Sequence, residues 1–173
     1  MNTRGHAWHV PVRVADVPAT GLHLTLVADE SVRAAVAALA GLRDIARLEA
    51  TVDISHHGDG LRAAGTVSAK VGQTCVITLD PVENEVEETF DVTFAPGGGP
   101  APAAAGDGND EPVAVTESPE ALVDGVADIG AILTEFLLLG IDPYPKKPGA
   151  VFASPSEGDD DAGPFAALAR LKH

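Results

Sequence analysis

The amino-acid sequence predicts an α+β fold: an antiparallel β-sheet of about five to seven strands, open or partly closed as a barrel, packed by two or three helices. Period-two alternation of apolar and polar residues recurs from residue 8 to residue 94, whereas helical spacing is confined to a stretch after residue 29 and to the region beyond residue 128. Hydrophobic residues make up 45% of the 173, yet there are only five Phe, one Trp and one Tyr, so Ala, Val and Leu must fill the interior. That length suits a single domain with a sizeable core.

WHVPVRV (8 to 14) and LHLTLVA (22 to 28) both alternate and are separated by a turn containing Pro and Gly, which predicts two strands joined as a hairpin. Asp29 or Ser31 can cap a helix that sets Val32, Val36 and Leu39 on one face. Gly41 stops or bends it, and Leu42 and Ile45 would extend the apolar face by a further turn. LEATVDI, the turn SHHGDG and LRAAGTVSAKV form the clearest hairpin pattern in the chain. TCVITL (74 to 79) reads as a strand with Cys75, Ile77 and Leu79 on one face, turned by Asp80-Pro81. VEETFDVTF (86 to 94) sets Val86, Phe90, Val92 and Phe94 opposite Glu87, Thr89, Asp91 and Thr93, and Glu88 interrupts the apolar face as an edge strand would. PVAV (112 to 115) offers a short strand. A helix then begins with Asp128 as N-cap, gathers Ile129, Ile132, Leu133, Phe136 and Leu137 into one stripe, leaves Leu138, Leu139 and Ile141 outside it, and ends at Pro143.

Residues 1 to 152 form one domain in this reading. PGGGPAPAAAGDGNDEP (96 to 112) has no periodicity and interrupts the domain as a flexible loop. Residues 153 to 173 are an appendage: SPSEGDDDAG is an acidic spacer, and PFAALARLK sets Phe165, Leu168 and Leu171 in line for a short terminal helix.

The net charge of −15 is unevenly placed: residues 1 to 79 hold seven Lys or Arg against seven Asp or Glu, and residues 80 to 173 hold four against nineteen. No Lys or Arg lies between Asp80 and Glu135, which makes a poor surface for a phosphate backbone. Direct RNA contact therefore falls to Arg4, Arg13, Arg33, Arg43, Arg47, Arg62 and Lys70, or to Tyr144, Lys146 and Lys147. A single Cys leaves no disulfide and no Cys-based metal cluster within one chain. The first residues lack the apolar run of about 7 to 15 that a secretory signal needs, so a cytoplasmic location is expected. The longest apolar run, 129 to 141, contains Glu135 and falls short of the roughly 20 residues that span a bilayer.

His56-His57 with Asp59 is the one place where a metal site is conceivable, but no third or fourth ligand is placed by spacing and successive strand residues face opposite ways, so a polar hairpin tip is the better reading. Cys75 has no base assigned to it and sits among Ile77 and Leu79, which predicts a buried, unreactive thiol. Asp107, Asn109 and Asp110 lack the spacing and distal Glu of a calcium loop. No dinucleotide, P-loop, nucleophile-elbow or zinc-protease motif occurs, and the expectation is a non-enzymatic protein with no cofactor, no metal and no small-molecule substrate. Glu135, the one charge in the apolar helix, either sits at the rim of its buried face, the better reading, or reaches a basic partner such as Arg33 or Lys146. Pro143-Tyr144-Pro145-Lys146-Lys147-Pro148-Gly149 is an extended strap that either packs Tyr144 on the core or offers Lys146 and Lys147 beside an aromatic ring to an RNA strand.

GQTCVITLDPVENEVEETFDVTFAP (72 to 96) and DGVADIGAILTEFLLLGIDPYPKKPGAVF (124 to 152) together resemble the YceD family, the large ribosomal RNA subunit accumulation proteins. The second stretch is the more specific one. Cys75, Asp128, Gly130, Glu135, Pro143 and Pro145 are the family-pattern positions. Many relatives carry C-x-x-C where this chain has Cys75-Val76-Ile77-Thr78, which puts any shared zinc or redox role in question here. The resemblance implies a role in accumulating or processing large-subunit ribosomal RNA, through binding that RNA or a basic ribosomal protein, with no catalytic residues to carry over. The acidic second half suits the protein partner better. The rival expectation is an adaptor that regulates a metabolic enzyme through its acidic face and apolar helix.

Overall fold

The computed structural model describes residues 7–98 and 119–152. Within them seven strands and two α-helices follow in the order β1 (Pro11–Arg13), β2 (Leu22–Val27), α1 (Glu30–Ala40), β3 (Asp44–His57), β4 (Gly60–Thr74), β5 (Pro81–Pro96), β6 (Glu120–Leu122), β7 (Val126–Asp128) and α2 (Ile129–Gly140), with a 3-10 turn at Val14–Asp16. β2-β3-β4-β5-β6 make one sheet, and β1 with β7 makes a separate two-stranded ribbon.

Alternation gives the sheet one buried face. Leu48, Ala50, Val52 and Ile54 of β3, Leu61, Ala63, Val67, Ala69 and Val71 of β4, and Val86, Phe90 and Phe94 of β5 are buried, while most of the residues between them face outward. The β3–β4 hairpin closes with His57 opposite Gly60, and Gly58 takes the positive φ of 56° that the first loop position of a two-residue turn requires. α1 lies against β3, and α2 against β4, β5 and β1. Phe90 meets Phe136 of α2 with ring centroids 5.6 Å apart. Asp29 caps α1, accepting the Val32 N–H at 2.9 Å, and Gly41 ends it in the left-handed conformation at φ 66°.

The α+β class and the long central hairpin agree with the sequence; five expectations do not. The sheet is mixed rather than antiparallel, because β6 runs parallel to β5 over Phe94–Pro96. Residues 97–119 supply the dozen or more positions that a parallel return needs, where a short turn would have forced an antiparallel neighbour. The sheet is also open, with no pairing between β2 and the β5–β6 side, and helices cover its apolar face in place of a second wall of strands. Residues 8–14 and 22–28 do not form a hairpin: β1 pairs with β7 (Val12 opposite Ala127), and β2 pairs with β3. The chain leaves β1 by a 3-10 turn, with the Val14 N–H donated to the Gly125 carbonyl, and so cannot double back. Finally, β4 ends at Thr74, and Cys75–Asp80 is a tight loop rather than a strand: the Leu79 N–H bonds the Cys75 carbonyl, and the Cys75 N–H bonds the Asp80 carbonyl. Leu79, at φ 59°, is thrown outward and 76% exposed while Cys75 stays inside. Leu42 and Ile45 likewise do not continue α1; Ile45 already belongs to β3. The PVAV strand, the 96–112 loop beyond Gly98 and the terminal helix fall outside the described residues.

Candidate partner-binding surface

On the solvent face of the sheet, opposite charges meet across strands. Arg62 of β4 forms a two-pronged pair with Asp91 of β5, Lys70 Nζ lies 2.7 Å from Glu83 Oε2, and Arg47 sits between Glu49 at 3.7 Å and Glu85 at 3.8 Å. The hydrogen bond from Arg62 holds Asp91 below the usual carboxylate range, and Glu83 raises the Lys70 ammonium. These exposed pairs each contribute little stability, about 0–1 kcal/mol, but they occupy the cations. Arg33 donates to the Ala28 carbonyl at 2.7 Å, capping the entry to its own helix. Among the described residues Arg13, Arg33, Arg43 and Lys146 have no carboxylate partner. Arg4 lies outside them.

The strap after α2 closes over the Cys75 loop. Pro145 is buried and its carbonyl accepts the Val76 N–H at 2.9 Å; the Asp142 carbonyl accepts from Gln73 at 2.8 Å, and Gln73 in turn accepts from Asn84 at 2.7 Å. Lys147 points its backbone N–H at Cys75 Sγ (3.4 Å) and its ammonium at Asp80 Oδ2 (3.0 Å), which lowers the Asp80 carboxyl. The thiol is wholly enclosed, yet the Lys147 N–H first, and Thr78 next, pull its pKa from 9.0 down to about 6. Enclosure was legible in the sequence; the lowered pKa was not, because its leading donor, the Lys147 N–H, arrives from a segment about seventy residues away. Tyr144 is 70% exposed and Lys146 is exposed beside it, so the strap packs through Pro145 and turns its ring outward. Arg43, Pro143 and Pro145 line one shallow groove at this end.

At the other end of α2, Asp128 stands at the N-cap position without capping the helix. Its carboxylate accepts the Val10 N–H at 3.0 Å and pairs with His9 Nδ1 at 2.7 Å, while the Val10 carbonyl takes the Ile129 N–H at 3.0 Å. Gly130 lies under this crossing: a Cβ there would stand 2.5 Å from the Trp8 carbonyl oxygen. Thr134, buried one turn on, returns its hydroxyl to the Gly130 carbonyl at 2.8 Å. Four of the family-pattern residues, Cys75, Asp128, Gly130 and Pro145, thus join distant segments, whereas Pro143 is exposed.

The remaining family-pattern residue, Glu135, is exposed on α2 and faces a groove of about 360 Å³ between that helix and β5. Val92, Ile132 and Phe136 make its apolar lining; Asp91, Glu120 and Glu135 are its charged members, and no Lys or Arg lines it. Glu87, Glu88, Glu120 and Glu135 make no ion pair with the described residues. Sequence reading passed over Glu87 and Glu120; the available signal was the run of carboxylates from Glu83 to Asp91 with no Lys among them. His56 gives its ring nitrogen to the Val17 carbonyl at 2.8 Å rather than turning toward His57, and no group of three His, Cys, Asp or Glu able to hold a metal occurs among the described residues. No helix among them is long and apolar enough to cross a membrane.

A family model described as large ribosomal RNA subunit accumulation protein YceD matches residues 63–172, more than half of the chain, from early in β4 through α2 and beyond. Comparisons with curated proteins and with solved structures each gave no match.

Proposed function

Because the chain belongs to the YceD family of large ribosomal RNA subunit accumulation proteins, we propose that it supports accumulation of that RNA as a non-enzymatic binding factor whose acidic surface engages a basic ribosomal protein. The observation that carries the choice of partner is the state of its cations. The described residues hold eight Lys or Arg against eighteen Asp or Glu, and Arg47, Arg62, Lys70 and Lys147 are already tied to carboxylates. A phosphate backbone approaching these would compete with in-chain partners and meet surplus negative charge, while a lysine-rich protein would meet the charge it needs.

Sedimentation of cell extract tests the role: the protein should travel with large-subunit precursors, and its confinement to the top of the gradient would end this reading. Filter binding over a salt series tests the partner. Weak RNA retention even at low salt is expected. A second reading, direct RNA contact at the strap, draws on the exposed Tyr144 beside Lys146 and on Arg43 near Pro145. Tight low-salt retention lost in Tyr144→Ala and Lys146→Ala would favour it over the protein partner. A pull-down recovering one metabolic enzyme and no ribosomal particles would point instead to an adaptor.

A further inference from the structure

β4 pairs with β5 along nearly its whole length, but on the opposite side β6 covers only Phe94, Ala95 and Pro96 of the sixteen residues of β5. Among the described residues nothing pairs with that side between Val82 and Thr93. Edges this long are usually blunted by charged side chains, Lys above all, by an inward-pointing charge, by Pro or by a bulge. Glu88, opposite buried Val67, is such an inward charge, one that a basic guest would neutralise. Here the prolines stand at the two ends, the sheet's irregularity lies in β3 at Ile45/Arg47, and the charges are Glu83, Glu85, Glu87, Glu88 and Asp91. β6 demonstrates that this edge accepts a strand, and the groove against α2 continues from where β6 stops.

We propose that the outer edge of β5 takes up an extended basic segment of a partner protein as an added strand. This rests on the acidic-surface reading above and deepens it. Main-chain hydrogen bonds to β5 supply affinity without regard to sequence, and alternating side chains supply selection. On the solvent face, basic residues of the guest lie over Glu87, which no cation among the described residues holds. On the other face, its apolar residues enter the groove lined by Val92, Ile132 and Phe136, with Glu120 and Glu135 at hand for a further cation. An RNA strand has no amide ladder to match this edge and meets the carboxylates as a like charge.

Fluorescence anisotropy of the full-length protein with a labelled peptide of alternating lysine and valine tests the added strand. The peptide should bind, its glutamate-valine counterpart should not, and N-methylation of every peptide amide should weaken binding about tenfold or more by removing the ladder. Glu87→Lys should weaken it too, and because Glu87 is exposed this variant keeps the fold. Equal affinity of the N-methylated peptide overturns the proposal in favour of simple charge attraction. Binding that appears only when residues 99–118 are deleted assigns the edge to the chain itself and also overturns it, as does a dimer of the protein that the peptide fails to dissociate, or an RNA oligonucleotide that displaces the peptide. Co-sedimentation with large-subunit precursors alongside equal affinity of the N-methylated peptide sinks only the added strand. Failure to co-sediment sinks the ribosomal role, and the peptide series still decides the edge.

Discussion

Gly130 and Cys75 show how single positions tie the N-terminal segment and the strap to α2 and the sheet. Gly130→Ala drives a methyl group into the Trp8 carbonyl, which belongs to backbone held by Asp128 and Ile129 and cannot swing aside. The cost should be about 1–3 kcal/mol, read as a lowered urea midpoint. Cys75 makes stability depend on pH. Its folded pKa of about 6 lies below the ordinary 9.0, so below pH 6 the thiol is protonated in both states and contributes nothing. Between 6 and 9 the folded state alone is ionised, and the contribution grows to its full value above 9. The difference in urea midpoint between the natural protein and Cys75→Ser should widen steadily as pH rises through that window. A difference independent of pH would show that the amide donors do not hold a thiolate.

Elements were legible where local chemistry decides them. Asp29 and Gly41 mark the two ends of α1 because an N-cap carboxylate and a left-handed C-cap are properties of a few adjacent residues. Gly41 has nothing within 4 Å of where a Cβ would stand, so Gly41→Ala should cost only the backbone strain, about 1 kcal/mol. Gly41→Asn should recover part of that loss, and thermal melting of the two variants checks both. The 48–54 and 61–71 hairpin was legible for the same reason. TCVITL was misread because β-branched residues alternate equally well in a tight loop, and what bends the chain at Cys75 is its bond to Asp80 together with the strap above it. No periodicity within residues 74–79 records the strap.

At the scale of the molecule, the sequence gives the fold class but not the partners of its short strands. β1, β6 and β7 are three residues each, too short for a pattern to choose a neighbour, and their places follow from where the chain returns after long excursions. The candidate surface was legible as charge and illegible as geometry: the acidic second half is plain in composition, while the grouping of Glu120 and Glu135 around one groove needs the parallel return of β6. The charge excess has its own consequence. With eight cations to eighteen carboxylates in the described residues, self-repulsion opposes the folded state more than exposed pairs such as Lys70–Glu83 support it. Adding sodium chloride should therefore raise the thermal midpoint; a fall would mean that the pairs dominate.

The ribbon of β1 with β7 also fixes an order of events during synthesis. Val10 finds the carboxylate of Asp128 across 118 residues of chain, so Trp8 and Val12 leave the ribosome long before their partners are made. The β3–β4 hairpin, closed by a two-residue turn, forms while they wait. The segment from Trp8 to Val12 is thus fastened well after the hairpin beside it, and the entrance of α2 stays unlocked until Val10 and Asp128 meet.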